Sequence, residues 1–173
     1  MCGIFGVVTD SGVNGADLSF IARHCMQRGR DSSGLIWFKD DKYRVSRADY
    51  EITRLLKQTD WSDSNVVMGH SRLITNGLND NQPVVRDGFF VIHNGIIVNE
   101  DQVWNSIGVE RRFQVDSEAI IGVALAHMRD GGGLKQLSDK IISTCNGTIS
   151  AILGFPEIGK GLLISNNGSL YVG

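Results

Sequence analysis

Short apolar runs of strand length recur along the whole chain: GIFGVV at 3–8, SGLIWF at 33–38, NVVMGHSR at 65–72, GFFVIH at 88–93, GTISAILG at 147–154 and GLLIS at 161–165. Runs this short suit strands better than helices, and several are apolar along most of their length, as strands covered on both faces are. Helical spacing falls between them. ADLSFIARHCMQRG (16–29) puts Leu18, Ile21, Ala22, Cys25 and Met26 on one face, with Gly29 as its stop. DSEAIIGVALAHMRD (116–130) puts Ile120, Ile121, Ala124, Leu125 and Met128 on one stripe, which the glycines at 131–133 end. YEITRLLKQ, the stretch from Asn99 and LKQLSDKI complete the helices, while YRVSR and SLYVG add strands. The predicted order is β, α, ββ, α, ββ, ααα, βββ. Runs of each type, instead of strict alternation, predict an α+β fold with mainly antiparallel sheets, stacked between helical layers.

At 173 residues, 42% hydrophobic and 21% charged, the chain has the size of a single domain spanning 1–173 with a sizeable core. It ends on a predicted strand, as a piece trimmed from a longer protein would. The net charge of −2 and the lack of any block of like charges exclude the electrostatic footprint of a nucleic-acid binder. No run approaches the roughly 18 apolar residues of a membrane span, and the N-terminus lacks the charged region of a secretory signal. Cys2, Cys25 and Cys145 are odd in number and widely spaced, which argues against a disulfide framework and a zinc site and suits a reducing cytoplasm. His24, His70, His93 and His127 form no pair at ligand spacing, so no metal or other cofactor is expected.

The sequence opens MCGIFG. Removal of Met1, which requires a small second residue, would place a thiol and a free α-amine on Cys2. Free cysteine ionises near pH 8.5 and an α-amine near 7.7 to 8.0, so the amine can take the thiol proton directly or through a water. Such a thiol needs donors for a tetrahedral oxyanion. The alternative is an ordinary buried cysteine.

HNGIIVNE (93–100) offers such donors in the Asn94 amide and the Gly95 N–H, but FFVI, NG and IIV also fit a type I′ hairpin turn. Asn-Gly occurs five times, at 14, 76, 94, 146 and 167, so the dipeptide alone decides nothing. Arg72, just past a strand, suits a bidentate clamp on a carboxylate or a solvated strand end. Asp116, at a helix start, suits an N-cap or a carboxylate facing an ammonium group.

Taken in order, MCGIFG, QRGRDSSG, GHSRLITNG, HNGIIVNE and VDSEAI resemble the glutaminase domain of class II glutamine amidotransferases, within the N-terminal-nucleophile hydrolase superfamily. The likeness covers residues 1 to about 122 and is weaker beyond. It implies a four-layer αββα sandwich, with Cys2 as nucleophile, its α-amine as base, and Asn94 and Gly95 as the oxyanion hole. It also implies that Arg72 pairs with the α-carboxylate of glutamine, Thr75 lies close by, Asp116 pairs with the α-ammonium, and Arg28 and Gly29 support the nucleophile. The reaction implied is glutamine hydrolysis through a γ-glutamyl thioester, with ammonia passing to a synthase domain or subunit. Two other readings keep the fold: a glutamine-binding or regulatory module without turnover, and an N-terminal-nucleophile amidase acting on another amide. HNGIIVN is similar to the branch that makes amino sugars and GRDSSG and NQPV to the asparagine synthetase branch, while Asn76 stands where the amino-sugar branch has histidine. No acceptor follows from them.

Overall fold

The computed structural model describes residues 2–73 and 81–173. The chain divides into two compact units, Met1–Pro83 and Val84–Gly173. The first unit holds β1 (Gly3–Val8), α1 (Gly15–Met26), β2 (Ser32–Lys39), β3 (Lys42–Ala48), α2 (Ile52–Gln58) and β4 (Val66–Arg72). Its four strands form one antiparallel sheet in the order β1-β4-β2-β3. Asn14 starts α1 by accepting from Ala16 N at 2.8 Å and Asp17 N at 3.3 Å, which satisfies donors that the first helical turn leaves open. Leu18, Ala22 and Cys25 of α1 and Ile52, Leu55 and Leu56 of α2 then pack with Phe5, Leu35, Trp37 and Val67 of the strands. Residues two apart on a strand share a face, so this core takes alternate strand positions.

The second unit holds β5 (Val84–Arg86), β6 (Phe89–Ile97), α3 (Glu100–Ile107), α4 (Glu118–Arg129), α5 (Leu134–Thr144), β7 (Gly147–Phe155) and β8 (Lys160–Ser165), with a single 3₁₀ turn at Pro156–Ile158. Its sheet is antiparallel in the order β5-β6-β7-β8. Val91 and Ile97 of β6 and Ile149, Ala151, Leu153 and Phe155 of β7 pack with Val103 and Ile107 of α3, Leu137 and Ile141 of α5, and α4. Eight of the twelve residues of α4 are buried, a wider burial than one apolar stripe predicts.

Two details depart from the predicted order. The predicted order has no strand between the runs at 65–72 and 88–93, yet Val84–Arg86 forms the short strand β5 beside β6. SLYVG forms no strand: Asn167 Oδ1 accepts from Ser169 N at 3.1 Å, closing a side-chain turn, and Tyr171 and Val172 are left exposed. Among the described residues, no helix is long and apolar enough to cross a membrane.

One buried ion pair joins three segments of the second unit. Arg86 Nη1 lies 2.6 Å from Glu118 Oε1, and both side chains are almost wholly buried. Glu118 also accepts from the backbone N–H of Arg112 at 3.1 Å and of Phe113 at 2.8 Å, so β5, the 112–113 segment and the start of α4 share one carboxylate. Arg86→Met leaves that carboxylate without its cation and is expected to destabilise the fold by about 3 to 5 kcal/mol. Urea denaturation measures the loss, and Glu118→Gln added to it, which removes the charge but keeps an acceptor for the Arg112 and Phe113 N–H groups, is expected to recover part of it.

Candidate functional site

Four of the predicted site residues gather at one end of the first sheet. Cys2, half-buried, directly precedes β1, whose first residue Gly3 pairs with Ser71. Arg72 ends β4 opposite Ser32, and its Nη1 donates to Asn81 Oδ1 at 3.1 Å. Ser32 Oγ donates to the same oxygen at 2.9 Å, which fixes the side chain that holds the guanidinium.

The turn after α1 crosses this sheet end. Ser71 Oγ donates to the Gly29 carbonyl at 2.6 Å, and Asp31 N donates to the Arg72 carbonyl at 3.0 Å. A Cβ on Gly29 would lie 2.3 Å from Leu73 N, so a residue without a side chain is required there. α1 ends at Met26, just ahead of Gly29, and the close approach of β4 adds a second reason for glycine there. The neighbouring Arg28 is exposed, and its charge acts on the Cys25 thiol. Thr75 and Asn76 lie outside the described residues.

Asn94, Gly95 and Asp116 belong to the second unit. The hairpin turn considered for Asn94-Gly95 does not form, because β6 runs straight through them, pairing Asn94 with Ser150 and Gly95 with Ile149. A Cβ on Gly95 would fall 1.8 Å from the Thr148 carbonyl oxygen and 2.5 Å from His93 Nε2. Only glycine lets β6 and β7 approach so closely at this point. Asp116 does not cap α4, whose N-cap is Ser117. Its Oδ2 accepts from Ile97 N at 2.9 Å, which ties the carboxylate to the end of the strand that carries Asn94 and Gly95.

The sequence excludes His93 only as a metal ligand and gives Ser117 no role. His93 Nδ1 lies 3.1 Å from Ser117 Oγ, and Nε2 lies 3.1 Å from the Thr148 carbonyl. Burial pushes the imidazole below its ordinary value, while the Asp116 charge and the bond to Thr148 act the other way. The missed signal was the strand period: counting by two from Val91 and Ile97 puts His93 on their face.

The three thiols separate by environment. Burial pushes Cys25 up to about 12, against the lowering effect of the Ser71 backbone N–H; the Cys2 thiol raises it further and Arg28 lowers it. Burial, then the Asp116 charge, pushes Cys145 up to about 11. A shallow cleft of about 290 Å³ lined by Val98, Asn99, Glu100, Asp101, Gln102 and Arg111 contains none of the predicted site residues. Among the described residues, no three His, Cys, Asp or Glu side chains come together as a metal site would require.

No family model matches the chain. The glutamine–fructose-6-phosphate aminotransferase (isomerizing) of Rhizobium leguminosarum bv. viciae is 27% identical over 177 residues, 97% of this chain and 29% of that protein. The amidophosphoribosyltransferase of Pasteurella multocida is 27% identical over 143 residues, 74% of this chain and 28% of that protein. Among solved structures, glutamine phosphoribosylpyrophosphate amidotransferase from B. subtilis, complexed with ADP and GMP, matches with a TM-score of 0.69 and 20% identity over 90% of this chain and 35% of that one. This chain is a homologue of class II glutamine amidotransferases. It spans less than a third of the length of these curated relatives. The structural likeness shows the fold of this amidotransferase homologue: α+β, with two four-stranded antiparallel sheets.

Two outcomes follow for the amidotransferase homologue. Buried thiols of raised pKa react slowly, so iodoacetamide at neutral pH is expected to label Cys2 alone in the folded protein and all three cysteines after denaturation, as peptide mass mapping reads. His93 has a folded pKa below its unfolded value, so the unfolded chain takes up the proton first. Its contribution is therefore full above the ordinary imidazole value of 6.5 and is lost as pH falls through it. Urea midpoints taken on both sides of that value are expected to fall on the acid side, by less in His93→Gln.

Proposed function

We propose that residues 1–173 form a single glutaminase-type domain, acting in the cytoplasm, that hydrolyses the side-chain amide of glutamine and passes ammonia to a synthase domain or subunit. The observation that carries this reading is the position of Cys2: half-exposed, directly ahead of β1, at the sheet end that also holds Gly29 and Arg72. A nucleophile there sits on a strand end fixed by the ladder and by the turn after α1, while its own segment stays open to a ligand.

The chemistry assigned to the chain uses groups it carries. The α-amine of processed Cys2 takes the thiol proton, and the thiolate adds to the amide carbon of glutamine. Asn94 Nδ2 and the Gly95 N–H donate to the oxyanion, whose collapse expels ammonia carrying the transferred proton. A γ-glutamyl thioester remains. Water, deprotonated by the same amine, adds to the thioester carbon, and the thiol leaves with glutamate as product. Arg72 takes the α-carboxylate with Thr75 of the following loop beside it, and Asp116 takes the α-ammonium. Arg28 and Gly29 support the segment next to Cys2.

The test is direct. Processed protein is expected to convert glutamine to equal amounts of glutamate and ammonia, and Cys2→Ala to abolish this while leaving the unfolding midpoint near that of the parent. Arg72→Ala and Asp116→Asn are each expected to raise KM for glutamine by about tenfold to a hundredfold, the scale of one charged hydrogen bond. A coupled glutamate assay measures both, and intact mass reports whether Met1 has been removed. Turnover that survives Cys2→Ala overturns the assignment.

A further inference from the structure

Five residues of β6 are enclosed in a ring of covalent and hydrogen bonds. It starts at His93, runs along the backbone through Asn94, Gly95 and Ile96 to Ile97, and crosses from Ile97 N to Asp116 Oδ2 at 2.9 Å. The next peptide leads to Ser117, whose Oγ returns to His93 Nδ1 at 3.1 Å. On its other side His93 meets the Thr148 carbonyl at 3.1 Å, at the point where Gly95 presses against that oxygen.

We infer that His93 is a positioning residue that, through Ser117 and Thr148, sets both the oxyanion donors at Asn94 and Gly95 and the carboxylate of Asp116. This rests on the glutaminase reading above, because it concerns the groups that reading assigns to the oxyanion and to the α-ammonium. It departs from that reading in giving a role to two residues that touch no substrate.

The hydrogen-bond directions follow from the partners. A carbonyl oxygen only accepts, so Nε2 carries the ring proton toward Thr148. In the neutral ring Nδ1 is then an acceptor, and the Ser117 hydroxyl donates to it. Ser117 Oγ also lies 3.3 Å from Asp116 Oδ1, but one hydroxyl proton serves one acceptor well. With that proton on the histidine, Asp116 Oδ1 keeps its lone pairs for a ligand cation while Oδ2 stays anchored by Ile97 N. The buried imidazole thus orients the carboxylate for an ammonium and, through Thr148, fixes the height of β6 over β7 where the donors sit. Burial favours the neutral ring that this arrangement needs.

Steady-state glutamine hydrolysis by the full chain tests this in Ser117→Ala, His93→Leu and His93→Gln, each with its unfolding midpoint. Ser117→Ala breaks the link from His93 to the segment that carries Asp116, so the carboxylate loses its orientation, and it is expected to raise KM several-fold, with a smaller change in kcat. His93→Leu loosens the donors and is expected to lower kcat by about tenfold, since small displacements of reacting groups carry costs of this order. His93→Gln keeps an N–H within reach of Thr148 and is expected to recover part of that kcat. A packing role alone would move the midpoints and leave the kinetics of His93→Leu and His93→Gln alike. Unchanged kcat and KM in Ser117→Ala and His93→Leu, with turnover in the parent protein, overturns the inference and leaves the glutaminase reading standing. Absence of turnover in the processed parent overturns both. If His93→Leu fails to fold, Ser117→Ala, which removes a single oxygen atom, decides.

Discussion

The contact on which the second unit turns is the one between Gly95 and the Thr148 carbonyl, where any side chain would overlap the oxygen. Because the backbones meet there, β6 continues as a strand through Asn94-Gly95 and does not fold back. The same closeness brings the His93 ring within hydrogen-bond distance of Thr148. Moving β6 outward by the width of a methyl group would separate the histidine from its acceptor and shift the Ile97 N–H away from Asp116. Strand pairing, the buried imidazole and the half-buried carboxylate are therefore consequences of one missing Cβ.

Much of the architecture can be read from apolar spacing. The stripe of Leu18, Ala22 and Cys25 is buried as its helical period requires, and the strand runs predicted at 3–8, 65–72 and 147–154 become β1, β4 and β7 with ends that agree to within a residue. Short or capped features are harder, because turn chemistry is local and its outcome is decided by distant partners. Asn-Gly shows this well. At 14 the asparagine caps a helix, at 94 the pair lies inside a strand, at 146 it leads into β7, and at 167 it closes a turn. The sequence is the same each time; what differs is whether a second strand is present to take up the backbone N–H and C=O groups.

For the candidate site, motif order nominates Cys2, Asn94, Gly95 and Asp116 but not what holds them. Ser117, His93 and Thr148 meet through separations of 24 and 55 residues, distances over which no period carries information. The Arg86–Glu118 pair is equally silent in the sequence, since each residue alone reads as a surface charge. Thiol reactivity has the same character. Three cysteines look alike in composition, and burial alone separates Cys25 and Cys145 from the half-buried Cys2.

Strand order in the first sheet also bears on biosynthesis. β1 lies at an edge, and β4 is the strand it pairs with. β4 is also the last of that sheet's four strands to be translated, so the segment made first docks last. Until residue 72 has cleared the ribosomal tunnel, β1 has no partner strand to take up its backbone N–H and C=O groups.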